Sequence, residues 1–124
     1  MSDETRKMLG VSGENQAESY LRSKGLKWVA SNWRTKWGEI DLIMKDGRTL
    51  VFVEVKTRKD RDGFGEPEEA VHVFKQSRIL KSAMTYLQKT GTEDGPVRFD
   101  VVSIGPFGLR HIPDAFMFDD RYYL

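Results

Sequence analysis

Two strand-like runs on either side of Asp46-Gly47 restrict the fold more than any other feature of this chain. Glu39 to Lys45 and Leu50 to Thr57 both alternate with a period of two, and an Asp-Gly step between such runs is a strong hairpin signal. Side chains along a strand point to opposite faces in turn. One face of the expected hairpin therefore receives Ile40, Leu42 and Met44, together with Val51, Val53 and Val55. It is wholly apolar and must be buried. The other face receives Glu39, Asp41, Ile43 and Lys45, with Leu50, Phe52, Glu54 and Lys56. That face is apolar near the turn and charged away from it. A two-residue turn at Asp46-Gly47 sets Asp41 opposite Phe52, and a loop from Asp46 to Thr49 sets it opposite Glu54. Either register leaves the two carboxylates on one face, whereas an odd-length loop or a bulge separates them.

Adjacent carboxylates on a sheet repel unless positive charge stands between them. Lys56 alone does not balance Glu39, Asp41 and Glu54, but a divalent cation does. Oxygen donors without His or Cys favour Mg2+ or Mn2+, which keep several positions for water and phosphate oxygens. The triplet Glu-x-Lys has no weight by itself, because nine Glu and ten Lys in 124 residues give about one by chance. Its position inside VFVEVKT, otherwise core material, singles it out. Strand parity leaves open a charged strand end that merely projects into solvent.

The rest of the chain supplies the frame. Ser12-Gly13 opens an expected helix that stops at Lys24-Gly25, with Ala17 and Leu21 on its apolar stripe and Glu14 at the stripe's edge. Leu26 to Arg34 reads as a strand. After the hairpin come a polar loop, Arg58 to Glu66, and a helical stretch that Pro67 opens and that ends near Lys89. Val97 to Ile104 reads as a strand, and the C-terminal segment adds an edge strand. The expected order is α-β-β-β-α-β-(β), a mixed α/β fold, with residues 1–10 as a flexible tail and 11–124 as one domain.

Composition narrows the setting. There is no cysteine, which excludes disulfides and thiolate metal sites and points to a reducing, cytoplasmic home. No stretch approaches a membrane span, and no membrane partner is expected. The net charge is only +1, yet Arg22 to Arg61 holds eleven Lys or Arg against five Asp or Glu. Local positive charge of this kind suits a phosphate backbone. Arg58 and Lys75 are candidate phosphate contacts. Arg98 and Asp100 read as a structural ion pair, and Trp28, Trp33 and Trp37 as core or rim packing rather than base-stacking platforms.

Gly13-Glu14-x-x-Ala17 with Tyr20-Leu21, GEIDLI (Gly38 to Ile43), LVFVEVKTR (Leu50 to Arg58) and Arg98-Phe99-Asp100 together resemble the YraN-like family of uncharacterised bacterial proteins. That family looks like a branch of the PD-(D/E)xK, or restriction-endonuclease-like, superfamily and is most similar to archaeal Holliday-junction resolvases. The resemblance implies a mixed central sheet flanked by helices. It also implies that Asp41 is the first metal-binding acid, that Glu54 and Lys56 form the (D/E)xK pair, and that Glu14 is the acid of the first helix. Asp41 and Glu54 are then metal ligands, with Lys56 and Glu14 catalytic. Ile40 departs from the pattern, since many relatives have proline before the aspartate. The expected function is a Mg2+- or Mn2+-dependent endonuclease acting on DNA, branched DNA included, as a homodimer able to make paired incisions. The alternative is a nucleic-acid-binding module that keeps the fold without turnover.

Overall fold

Apolar residues on both faces of the hairpin call for a cover on each side, and a helix supplies each one. The computed structural model describes residues 3–57 and 73–116, with the backbone alone for residues 3–12 and 73–74. In chain order the elements are α1 (Asp3–Ser23), β1 (Lys27–Thr35), β2 (Gly38–Asp46), β3 (Thr49–Thr57), α2 (Val73–Thr90), β4 (Val97–Gly105) and β5 (Gly108–Phe116). The five strands make one sheet in the order β1-β2-β3-β4-β5. β3 and β4 run parallel and the other neighbours antiparallel. A parallel step needs a crossover, and α2 lies in it. The mixed α/β order matches the expectation, with β5 as the edge strand.

The hairpin register is Lys45↔Leu50, Ile43↔Phe52 and Leu42↔Val53. Continued by one step, it sets Asp41 against Glu54, the second of the two registers anticipated. Asp46 itself pairs with Thr49, so the loop is Gly47-Arg48, one residue beyond the expected Asp46-Gly47. Gly47 has φ 60°, the left-handed conformation that a tight hairpin demands at its first central position and glycine adopts without strain.

Parity then divides the core. Leu42, Met44, Val51 and Val53 pack with Ala17 and Leu21 of α1, while Ile43, Leu50 and Phe52 pack with Ile79, Leu80, Ala83 and Leu87 of α2. Phe52 stacks on Phe99 at 5.6 Å between centroids, and Phe99 on Phe116 at 5.1 Å, which ties three strands together on the α2 side. Truncating a ring of this kind in a packed core costs about 3–5 kcal/mol. α1 stops where expected: Gly25 adopts φ 96°, and the Leu26 N–H bonds back to the Leu21 carbonyl at 3.1 Å.

Two expectations change, and a third falls outside the described residues. Ile40 lies in the α2-side cluster with Ile43, not beside Leu42 and Met44. Pairing with β1 runs from Ser31↔Leu42 to Trp33↔Ile40, and between them Asn32 takes φ 51°. Strict alternation is interrupted there, at Asp41. Second, α1 begins at Asp3, so Ser12-Gly13 lies inside the helix and not at its start. Third, α2 is described from Val73, and the expected opening at Pro67 lies outside the described residues.

Candidate active site

β2 and β3 part company at the charged end of the hairpin. Their pairing ends at Leu42↔Val53, whereas β2 continues along β1 to Thr35↔Gly38 and β3 along β4 to Thr57↔Ile104. The fork leaves the Val55 N–H without a backbone rung to β2, and a buried N–H must be satisfied. Asp41 satisfies it: its Oδ2 accepts that N–H at 2.8 Å. One carboxylate thus substitutes for the missing rung and is fixed by it.

A cavity of about 450 Å3 opens at the fork, lined by Glu39, Asp41, Glu54, Lys75 and Arg78 among others. Both carboxylates of the anticipated pair line it, as side chains on one side of the sheet. Glu54 is only 4% exposed, and its Oε1 forms an ion pair with the Lys75 ammonium from α2. The Asp41 carboxyl is pushed up to about 8, first by burial and next by the charge of Glu54, against the lowering effect of the Val55 N–H.

The two lysines respond oppositely. Burial and the neighbouring Lys75 push Lys56 down from the ordinary lysine range. Lys75 is raised, because its hydrogen bond and charge interaction with Glu54 outweigh burial, which acts the other way. Glu14 approaches from α1. Burial raises its carboxyl, the charges of Glu39 and Glu54 add to this, and a hydrogen bond with Asn32 partly offsets it. Gly13 makes that approach feasible: a Cβ there would collide with the Thr57 hydroxyl at the end of β3.

The donor set fits a hard divalent cation. Asp41 and Glu54 offer carboxylate oxygens to a cavity of about 450 Å3, the type of donor that such an ion takes. Among the described residues no three of His, Cys, Asp and Glu form a ready-made cage, so Glu14 stands beside the pair rather than completing it.

Asp41, Glu54, Lys56 and Lys75 are therefore brought together, with Glu14 at the margin. Arg58 lies outside the described residues. Arg98 and Asp100 pair at 2.8 Å as expected, and His111 and the Asp114 N–H complete the enclosure of that carboxylate. Trp33 packs edge-on against Tyr86, as expected of a core or rim residue, whereas Trp37 is 39% exposed. Two contributors were missed by sequence reasoning. Asn32 carried a signal, since Asn is unfavourable in a strand and tolerates the left-handed region. Arg78 had none beyond its place one turn after Lys75.

Residues 13–104 match the model of the uncharacterised protein family UPF0102. The match spans Glu14, Asp41, Glu54, Lys56 and Lys75. A UPF0102 protein of Geobacter metallireducens is 46% identical over 114 residues, covering 89% of this chain and 93% of the relative. One from Rhodococcus jostii is 47% identical over 113 residues, covering 87% and 95%. Another, from Symbiobacterium thermophilum, is 47% identical over 113 residues with the same coverage.

Proposed function

The chain belongs to the uncharacterised protein family UPF0102, and from its clustered carboxylates we propose that it hydrolyses phosphodiester bonds in nucleic acid, DNA above RNA. Branched DNA is the favoured substrate, with two copies of the chain making paired cuts. The observation that carries this reading is the pairing of Asp41 and Glu54 in one cavity, at a fork in the sheet, with Lys56 and Lys75 beside them.

Asp41 and Glu54 would hold Mg2+ or Mn2+. Such an ion supplies Lewis-acid charge at a phosphoryl oxygen and a more acidic water. The chain's own residues supply the rest. The Val55 N–H keeps Asp41 from rotating, so the donor geometry exists before substrate arrives. Lys56 sits next to the reacting phosphate and stabilises the charge that grows in the transition state. Its lowered proton affinity also makes it a readier proton donor than an ordinary lysine. Lys75 holds Glu54 in place and, with Arg78, presents positive charge to the incoming phosphates. Glu14 lies close enough to Glu54 for their charges to interact, and in this reading it would accept a proton from the attacking water.

Purified protein incubated with branched and linear DNA in Mg2+ or Mn2+ tests the reading. Cleavage is expected, and it should disappear in both Asp41→Ala and Lys56→Ala. Calorimetric titration of Mn2+ gives a second readout independent of turnover, with binding expected in the parent and absent in Asp41→Ala. Cleavage that persists in both variants would exclude this site. A second reading, a binding module without turnover, is favoured by one observation: Lys75 already neutralises Glu54. It is distinguished by salt-sensitive nucleic-acid binding that survives both substitutions without any cleavage.

A further inference from the structure

We infer that the groove next to the carboxylate cavity is a track for an unpaired nucleic-acid strand, with Trp37 as a platform for one base. The inference rests on the nucleic-acid reading above and deepens it by naming the form of the substrate that reaches the site.

The turn between β1 and β2 carries Lys36 and Trp37, and α2 faces it with Ser77, Arg78 and Lys81. A depression of about 600 Å3 lies between them. Gly38 and Arg78 line both this groove and the carboxylate cavity, so the two spaces share a wall. A strand lying in the groove would lead directly to Asp41 and Glu54.

Charge and aromatic surface coincide here. Lys36, Arg78 and Lys81 converge on the groove, and among the described residues no carboxylate pairs with any of them. The Lys36 and Lys81 ammonium groups sit 5.0 Å and 4.6 Å from the centroid of the Trp37 ring, which remains 39% exposed. The turn that carries the ring is anchored to α2. The Trp37 backbone N–H donates to the Thr35 hydroxyl at 3.0 Å, and that hydroxyl bonds to Ser82 of α2 at 2.8 Å. An accessible indole on an anchored turn, amid cations with no carboxylate partner among the described residues, matches the two requirements of single-strand binding: a stacking face and phosphate neutralisation. A duplex hides its base faces, so only an unpaired base can use the ring. As a base takes one face of Trp37, the flexible lysine on that face is released to a phosphate.

Fluorescence anisotropy with labelled oligo-dT, and with a blunt duplex of equal length, tests the inference. EDTA is present throughout, so hydrolysis does not interfere. The single strand is expected to bind more tightly than the duplex. Trp37→Ala should weaken it roughly tenfold, while Trp37→Phe keeps most of the affinity. Replacing Lys36, Arg78 and Lys81 by Gln should flatten the slope of log affinity against log salt by about 2, at roughly 0.7 per phosphate. Equal binding of duplex and single strand, or indifference to both sets of changes, would overturn the track. The two proposals fail separately. Asp41-dependent cleavage that ignores Trp37 removes the track alone. Trp37-dependent binding, without cleavage in Mg2+ or Mn2+, removes the nuclease alone.

Discussion

Replacing Lys75 by Met isolates the ion pair that holds Glu54 in the site. Met keeps most of the stem and a similar helix propensity, so the change removes the ammonium and little else. Glu54 is then a carboxylate, 4% exposed, without its ion-pair partner. Breaking a buried pair from one side costs about 3–5 kcal/mol. Two features reduce that figure. The Lys75 side chain is 42% exposed, so water screens the pair, and Lys56 remains within reach of the charge of Glu54. A loss of about 1–3 kcal/mol follows. With a urea slope of about 1–3 kcal/mol per molar, the unfolding midpoint should fall by roughly 1 M. Mn2+ should then restore the variant by more than it stabilises the parent, because the ion meets no competing ammonium. Urea titration with and without Mn2+ measures both effects. A variant with an unchanged midpoint that Mn2+ does not shift would refute the reasoning.

Further outcomes follow from the same geometry. Asp41→Asn keeps an acceptor for the Val55 N–H and removes a carboxyl that the fold raises to about 8. A raised group contributes stability below its unfolded value that is lost as pH rises through the folded one. The variant should therefore exceed the parent in thermal midpoint at pH 8, with the advantage shrinking towards pH 4 and Mn2+ binding gone. Asp100 behaves in the opposite sense: burial would raise it, but His111, Arg98 and the Asp114 N–H together bring it below the ordinary value. Its contribution is present above the unfolded value, near 4, and is lost as pH falls through the lower folded one. Urea midpoints between pH 6 and pH 2.5 should fall more steeply for the parent than for Asp100→Asn. Asn32→Gly keeps the backbone at φ 51° and loses only the bond to Glu14, whereas Asn32→Ala adds about 1–2 kcal/mol of left-handed strain. Thermal melts should rank Ala below Gly.

Strand periodicity revealed the hairpin, its buried faces and the shared side of Asp41 and Glu54, because side-chain alternation is a local property of the chain. It failed at Ile40. A rule of two assumes an unbroken ladder, and the ladder is broken at Asp41, where a side chain replaces a backbone partner and Asn32 opposite adopts φ 51°. The failure thus marks the site. The Lys75 bond to Glu54 was not legible, since it depends on how α2 docks across the sheet, and no local pattern encodes that distance. Gly13 read as a helix start from local punctuation, yet it lies inside α1, where its lack of a side chain lets the helix approach Thr57.

Anomalous diffraction from a crystal soaked in Mn2+ is the most direct test of the central claim. One strong peak bonded to both Asp41 and Glu54 is expected, with the Lys75 ammonium moved away from Glu54. A soaked crystal with no peak at the fork and the Lys75–Glu54 pair intact would contradict it.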